Sequence, residues 1–258
     1  MQGFVKSFVV PLLVRRRWTR VCEIGANLGG STEMLAGLPS IALNVIDPCL
    51  DCDLEEKFAG NPHVTIKKGT SLEVLPKLSD AFDCILIDGD HNWYTVYHEL
   101  KVISDRDLLK LGGIVFFHDI EWPYGRRDLY YQPEMIPQEY RHSCARKGII
   151  EGQSELSDEC EFNAWLWNAT HEGGAGNGVL TAIEDFLREH KDEYKFIRVR
   201  EKFGLGIMYR RKNFTEDFWF LAIECKGFAY NVFAWVKRFT RAHFPSAFAL
   251  AKSRLGRT

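Results

Sequence analysis

Two short clusters, Asp88-Gly89-Asp90-His91 and His118-Asp119, hold the residue types best able to gather a cation or move a proton. Each follows an apolar run, Phe82 to Ile87 and Ile114 to Phe117, so each is expected at the end of a buried strand. In an open parallel sheet neighbouring strand ends open on one crevice, which would bring the two clusters together. Crowded carboxylates repel one another unless a cation neutralises them, so a divalent ion is the economical occupant. The bland alternative is that the four side chains only cap strand ends. A third constellation, Glu23-Ile24-Gly25-Ala26-Asn27-Leu28-Gly29-Gly30-Ser31, sits where a strand gives way to a helix. Its glycines let the backbone approach a ligand, and the helix start offers unpaired N–H groups. The spacing is Glu-x-Gly-x-x-x-Gly, not the Gly-x-Gly-x-x-Gly of dinucleotide folds. An acid at that strand end repels pyrophosphate and attracts a cationic amino-acid head group or a sulfonium. Asp47 ends the next strand, where an acid can take ribose hydroxyls or simply form a turn with Pro48.

These residues need a scaffold of alternating strands and crossover helices, and the pattern from 21 to 118 supplies one. Strands are expected at Val21 to Ile24, Ile41 to Ile46, Val64 to Lys67, Phe82 to Ile87 and Ile114 to Phe117. A helix is expected through about Leu35 and another from Trp93 to Leu109, broken by Gly112-Gly113. Residues 120 to 178 lose periodicity and read as an insertion or lid after the fifth strand. Within it, His171 to Gly178 is glycine-rich without the Lys-Ser/Thr of a phosphate loop, which suits a flexible lid. Thr181-Ala-Ile-Glu184 has the form of a capping box opening a helix to about His190. Lys195 to Arg200 and Leu205 to Arg210 read as two strands joined at Lys202-Phe203-Gly204. The chain then divides into a basic helical extension over 1–20, a main domain over 21–215 with its insertion at 120–178, and a basic aromatic helical extension over 216–258.

Over roughly residues 20 to 210 the chain resembles the class I S-adenosylmethionine (SAM)-dependent methyltransferases. Glu23-x-Gly25 looks like their first motif, Asp47 like the ribose-binding acid, Gly69-Thr70-Ser71 like the third-strand loop and Asp88-Gly89-Asp90-His91 like the fourth-strand motif. The resemblance implies a doubly wound, Rossmann-like α/β sheet, mostly parallel with a reversed last strand. It implies SAM contacts from Glu23, Gly25, Asn27, Gly29, Ser31, Asp47, Thr70, Ser71, Asp88 and His91, with Ser71 and His91 near the adenine edge. The chain also looks like the metal-dependent branch containing catechol, caffeoyl-CoA and bacterial deoxysugar and macrolide O-methyltransferases. That likeness implies a metal on Asp88, His118 and Asp119, although the branch has a carboxylate where His118 stands. Magnesium or manganese is expected first, and the imidazole admits iron or zinc. The implied reaction is methyl transfer to a hydroxyl of a sugar or small natural product, with Asp90 as general base and His118 and His91 as alternatives. Trp122, Tyr124, Arg126 and Arg127 follow the metal pair, where aromatics beside guanidiniums suit a sugar with a phosphate or carboxylate. Equally, those arginines could pair with local acids. Two other readings remain: a SAM-binding regulatory or scaffold protein without activity, and an iron-dependent hydroxylase-like relative. Asp88, Asp90 and Asp119 speak against the first.

Charge narrows the partners. Of 33 basic residues, twelve lie in residues 1–20 and 226–258, which hold no acid; the 21 between them face 35 acidic ones, giving the body a charge of −14. An acidic body excludes nonspecific nucleic-acid binding, which needs a basic face. The basic ends suit anionic lipid, a second copy of the chain or simple docking on the main domain, the last being favoured. Seven scattered cysteines fit reduced thiols and a cytoplasmic protein, and Cys49-Leu-Asp-Cys52 reads as coincidence. No apolar run approaches the roughly 20 residues of a membrane span, and no leader pattern is read.

Overall fold

The computed structural model describes residues 1–48, 52–212 and 214–243. Cys49 of the Cys49/Cys52 pair and residues 244–258 of the expected C-terminal extension lie outside them. In chain order the elements begin with α1 (Gln2–Phe4), a π-helical turn (Val5–Val9) and α2 (Val10–Arg16). There follow β1 (Arg20–Ile24), α3 (Gly30–Ala36), β2 (Ala42–Asp47), α4 (Leu54–Phe58), β3 (Val64–Lys68), α5 (Ser71–Val74), β4 (Phe82–Ile87), α6 (Trp93–Asp105) and β5 (Leu109–His118). The insertion holds β6 (Leu129–Tyr130), β7 (Cys144–Arg146) and β8 (Trp167–Ala169). The chain closes with α7 (Val179–Glu189), β9 (Tyr194–Val199), β10 (Leu205–Arg210) and α8 (Phe214–His243).

Seven strands form one sheet in the order β3-β2-β1-β4-β5-β10-β9. The first five are mutually parallel, and β10 runs antiparallel to both β5 and β9. This is the doubly wound sheet with a reversed last strand that the sequence implies. Strand order reverses between β1 and β4, whose carboxyl ends frame the crevice. Every residue of β4 is buried, as its unbroken apolar run requires. One face of the sheet packs Phe4, Val9, Leu13, Leu35 and Phe220. The other packs Val96, Leu100, Ile103, Ile183 and Phe186 from α6 and α7.

Three local expectations change. Helix α6 stops at Asp105, because Asp107 takes a left-handed backbone (φ 56°) and Leu108 and Leu109 turn into the buried sheet. Gly112 and Gly113 therefore lie inside β5: Phe82 pairs with Leu109 but Cys84 with Ile114, so the strand bulges around them. Helix α7 begins at Val179 with Gly178 as its N-cap (φ 92°), so Thr181 and Glu184 sit in its body, where both accept hydrogen bonds from Arg126. The insertion folds into a three-stranded antiparallel sheet, β6-β8-β7, with its own small core of Tyr124, Leu129, Ile149 and Leu166.

Candidate active site

The crevice is built from its glycine turn outward. Gly25 has φ 81°, and a Cβ there would meet the Asp88 carbonyl at 2.4 Å, so only glycine lets the end of β1 touch the end of β4. Asn27 and Gly29 are also left-handed and deliver the chain into α3. Glu23 is buried and accepts the Ser31 and Thr32 hydroxyls at 2.5 and 2.6 Å; burial raises its pKa to about 7. Asp47 accepts the N–H groups of Ala26 and Asn27 at 2.8 and 3.0 Å, locking the turn against β2. After β3, Thr70 caps α5 in a reciprocal box with Glu73, and the buried Ser71 opens that helix.

The sheet brings Asp88, His91, His118 and Asp119 together. One ligand-capable atom from each lies within 4.8 Å of the others. His118 Nδ1 stands 3.0 Å from both Asp88 Oδ1 and Asp119 Oδ2, and His91 Nε2 is 2.7 Å from Asp119 Oδ2. Asp119 adopts φ 55°, in the left-handed region that Asp enters more readily than most side chains. Burial works to lower the pKa of both imidazoles, but the neighbouring carboxylates override it: His118 rises to about 8 and His91 goes well above its usual range. Burial likewise opposes the fall in Asp88 and Asp119, which the two imidazoles hold below the ordinary carboxylate range. Each charge therefore depends on the others. The donor set of two carboxylates and two imidazoles fits a divalent ion. The amino group of Met1, 3.1 Å from His118 Nε2 and 3.7 Å from Asp88 Oδ2, lies against the cluster as a positive charge.

Asp90 stands beside the cluster and accepts the Thr95 hydroxyl at 3.1 Å; burial raises its pKa. Tyr124 is buried with its ring 5.8 Å from His91, and its hydroxyl lies between Asn163 and Asn168. Trp122 stacks on Phe162 at 5.2 Å. The arginines are committed elsewhere. Arg126 grips Glu184 through two bonds of 2.7 Å, and the fully buried Arg127 donates to the carbonyls of Ala169 and Ser154. Asn177 ties the glycine-rich segment down by accepting from Asp128 N and donating to His171 and Gly173 carbonyls.

Sequence reading misses the cover. Residues 1–4 lie over the crevice: the Gln2 amide sits where a Cβ on Gly30 would be, and Phe4 meets the His118 ring edge-on at 5.9 Å. Phe203 approaches the same ring at 6.1 Å, and Tyr131 lies 6.3 Å from His91. Phe4 and Phe8 share a helical stripe, but no local pattern connects residue 4 with residue 118. The acids of β1 and β2 and the glycine turn fit a nucleoside carrying a cationic arm once the flexible Gln2 side chain turns aside.

A family model described as a methyltransferase domain matches residues 22–120. No curated protein matches the chain. Similar solved structures include PaMTH1 of Podospora anserina bound to SAH, at 17% identity and TM-score 0.48, covering 80% of this chain and 77% of that one. A Staphylococcus aureus protein assigned as a caffeoyl-CoA O-methyltransferase shows 15% identity and TM-score 0.47 over 78% and 80%. Cofactor-bound Rv0187 from MTB shows 18% identity and TM-score 0.46 over 80% and 79%. The matched methyltransferase domain runs from β1 to just past the end of β5, so it takes in the Glu23–Ser31 turn and the cluster of Asp88, His91, His118 and Asp119.

Proposed function

We propose that the protein is a class I SAM-dependent methyltransferase that transfers the SAM methyl group to a hydroxyl of a sugar or small natural product, assisted by a divalent cation held by Asp88, His118 and Asp119 beside His91. The observation that carries this reading is the convergence of those four side chains at the crevice beside the Glu23–Ser31 turn. SAM supplies a sulfonium-bound methyl group, and a divalent cation lowers the pKa of a hydroxyl bound to it. Asp47 and the turn from Gly25 to Ser31 would hold the nucleoside, and Ser71 and His91 its adenine edge. Asp90, whose buried carboxyl is a stronger base than an exposed one, would take the acceptor's proton. Tyr124 and Tyr131 flank His91 and would wall the acceptor in, so that placement supplies much of the rate.

Calorimetry tests the reading in two steps. Wild type should bind SAM, and Asp119→Ala should retain SAM binding while losing Mn2+ binding and roughly 100-fold of SAH release with a panel of hydroxylated acceptors. Absence of SAM binding would sink the whole reading; turnover that survives a chelator would sink the metal alone. The two imidazoles favour manganese, iron or zinc over magnesium. They also keep a second reading alive, an iron-dependent hydroxylase-like relative, which elemental analysis showing iron would support.

A further inference from the structure

With Arg126 and Arg127 committed inside the protein, the cation that the insertion offers to a ligand is found elsewhere. A groove of about 510 Å3 opens on the flank of the inserted sheet, lined by Glu134, Gln138, Arg141, His142, Ser143 and Trp167 among others. Its volume lies in the range of small-molecule sites. Arg141 is half-buried, and among the described residues the one hydrogen bond of its side chain goes to the Pro133 carbonyl at 2.9 Å. That bond fixes a planar group with five N–H donors at the groove wall without neutralising it. His142 is held at both ends: its backbone N–H donates to the Tyr130 hydroxyl at 2.9 Å, and Nε2 meets the Gly176 carbonyl at 2.8 Å. Trp167 is pinned in β8 beneath the Arg146 guanidinium, 4.9 Å from its ring. A rigid indole, a guanidinium fork, a carboxylate, an amide and a hydroxyl in one groove match a polyhydroxylated ring that bears one negative charge. One short segment links the groove to the crevice: the Tyr130 hydroxyl accepts the His142 N–H, and the next residue, Tyr131, lies 6.3 Å from His91.

We propose that this groove is an acceptor subsite for an anionic hexose. The sugar's carboxylate or phosphate pairs with Arg141, its ring lies along Trp167, and its hydroxyls meet Glu134, Gln138 and Ser143. The role as acceptor site rests on the methyl-transfer reading above; the binding itself does not, and its test omits SAM. Titration calorimetry with D-glucuronate, D-glucose 6-phosphate, D-glucose and inorganic phosphate, each up to about 10 mM, should give millimolar binding of at least one anionic hexose. Glucose and inorganic phosphate should bind roughly tenfold more weakly or not at all. Arg141→Gln should lose at least tenfold of the anionic hexose affinity while keeping the wild-type melting temperature, and Ser143→Ala should lose a smaller share. The proposal is overturned if no anionic hexose binds, if glucose or phosphate binds as well as they do, or if Arg141→Gln binds them unchanged. SAM binding to the same preparation reports separately on the methyltransferase reading.

Discussion

Glu23 and Glu99 are both buried acids, and their partners set them apart. Glu23 is satisfied by two hydroxyls, whereas among the described residues neither oxygen of Glu99 has a well-formed hydrogen bond, and burial, only partly offset by the Ser71 hydroxyl, pushes its pKa up to about 8. A carboxyl whose pKa is raised on folding binds its proton more tightly in the native state. Stability is therefore highest at low pH and falls as pH rises from the unfolded value toward the folded one. For Glu99 that window runs from about pH 4.5 to 8 and for Glu23 to about pH 7. Urea unfolding at several pH values should show wild type losing several kcal/mol across it, and between pH 7 and 8, where Glu23 no longer contributes but the raised imidazoles of His118 and His91 still do, Glu99→Gln should lose about 1 kcal/mol less than wild type. An unchanged slope above pH 7 in the variant would refute the assignment. The acids at strand ends are legible in the sequence because they interrupt apolar runs. Glu99 is not, because one acid between Tyr97 and Lys101 on a helix looks solvated, and only the packed α6 places it beside Leu100 against the sheet.

At the scale of elements, the parallel core is readable because each strand is a short apolar run ended by polar or turn residues. The α6–β5 boundary and the α7 start are not, because both are decided by contacts distant in sequence. The insertion depends on Asp128, a fully buried carboxylate that accepts Trp93 N and Gly178 N at 2.7 Å and the Tyr130 hydroxyl at 2.7 Å. It thereby fastens β6 to the starts of α6 and α7. Asp128→Ala would leave two buried donors and one half-buried donor unpaired and should cost about 3 kcal/mol in chemical denaturation, well above an exposed Asp158→Ala control. The N-terminal elements act differently. Gln2 reaches the start of α3 only through a flexible side chain, so Gln2→Gly should tighten SAM binding severalfold in calorimetry with little change in melting temperature. An unaltered affinity would show that Gln2 does not compete for the crevice.

For the whole molecule, a cation bound to the native cluster and not to the unfolded chain must stabilise the fold. At a hundred times its dissociation constant the gain is about 2.7 kcal/mol, so Mn2+ should raise the melting temperature of wild type and leave Asp119→Ala unmoved. The helix α8 packs Phe220 and Ala234 inward and leaves Phe228 and Phe233 exposed. Among the described residues no helix is long and apolar enough to cross a membrane. The triple attachment at Asp128 has a mechanical consequence. Because one buried group clasps β6 to the starts of both α6 and α7, the inserted sheet and those two helices are yoked and must shift as one body.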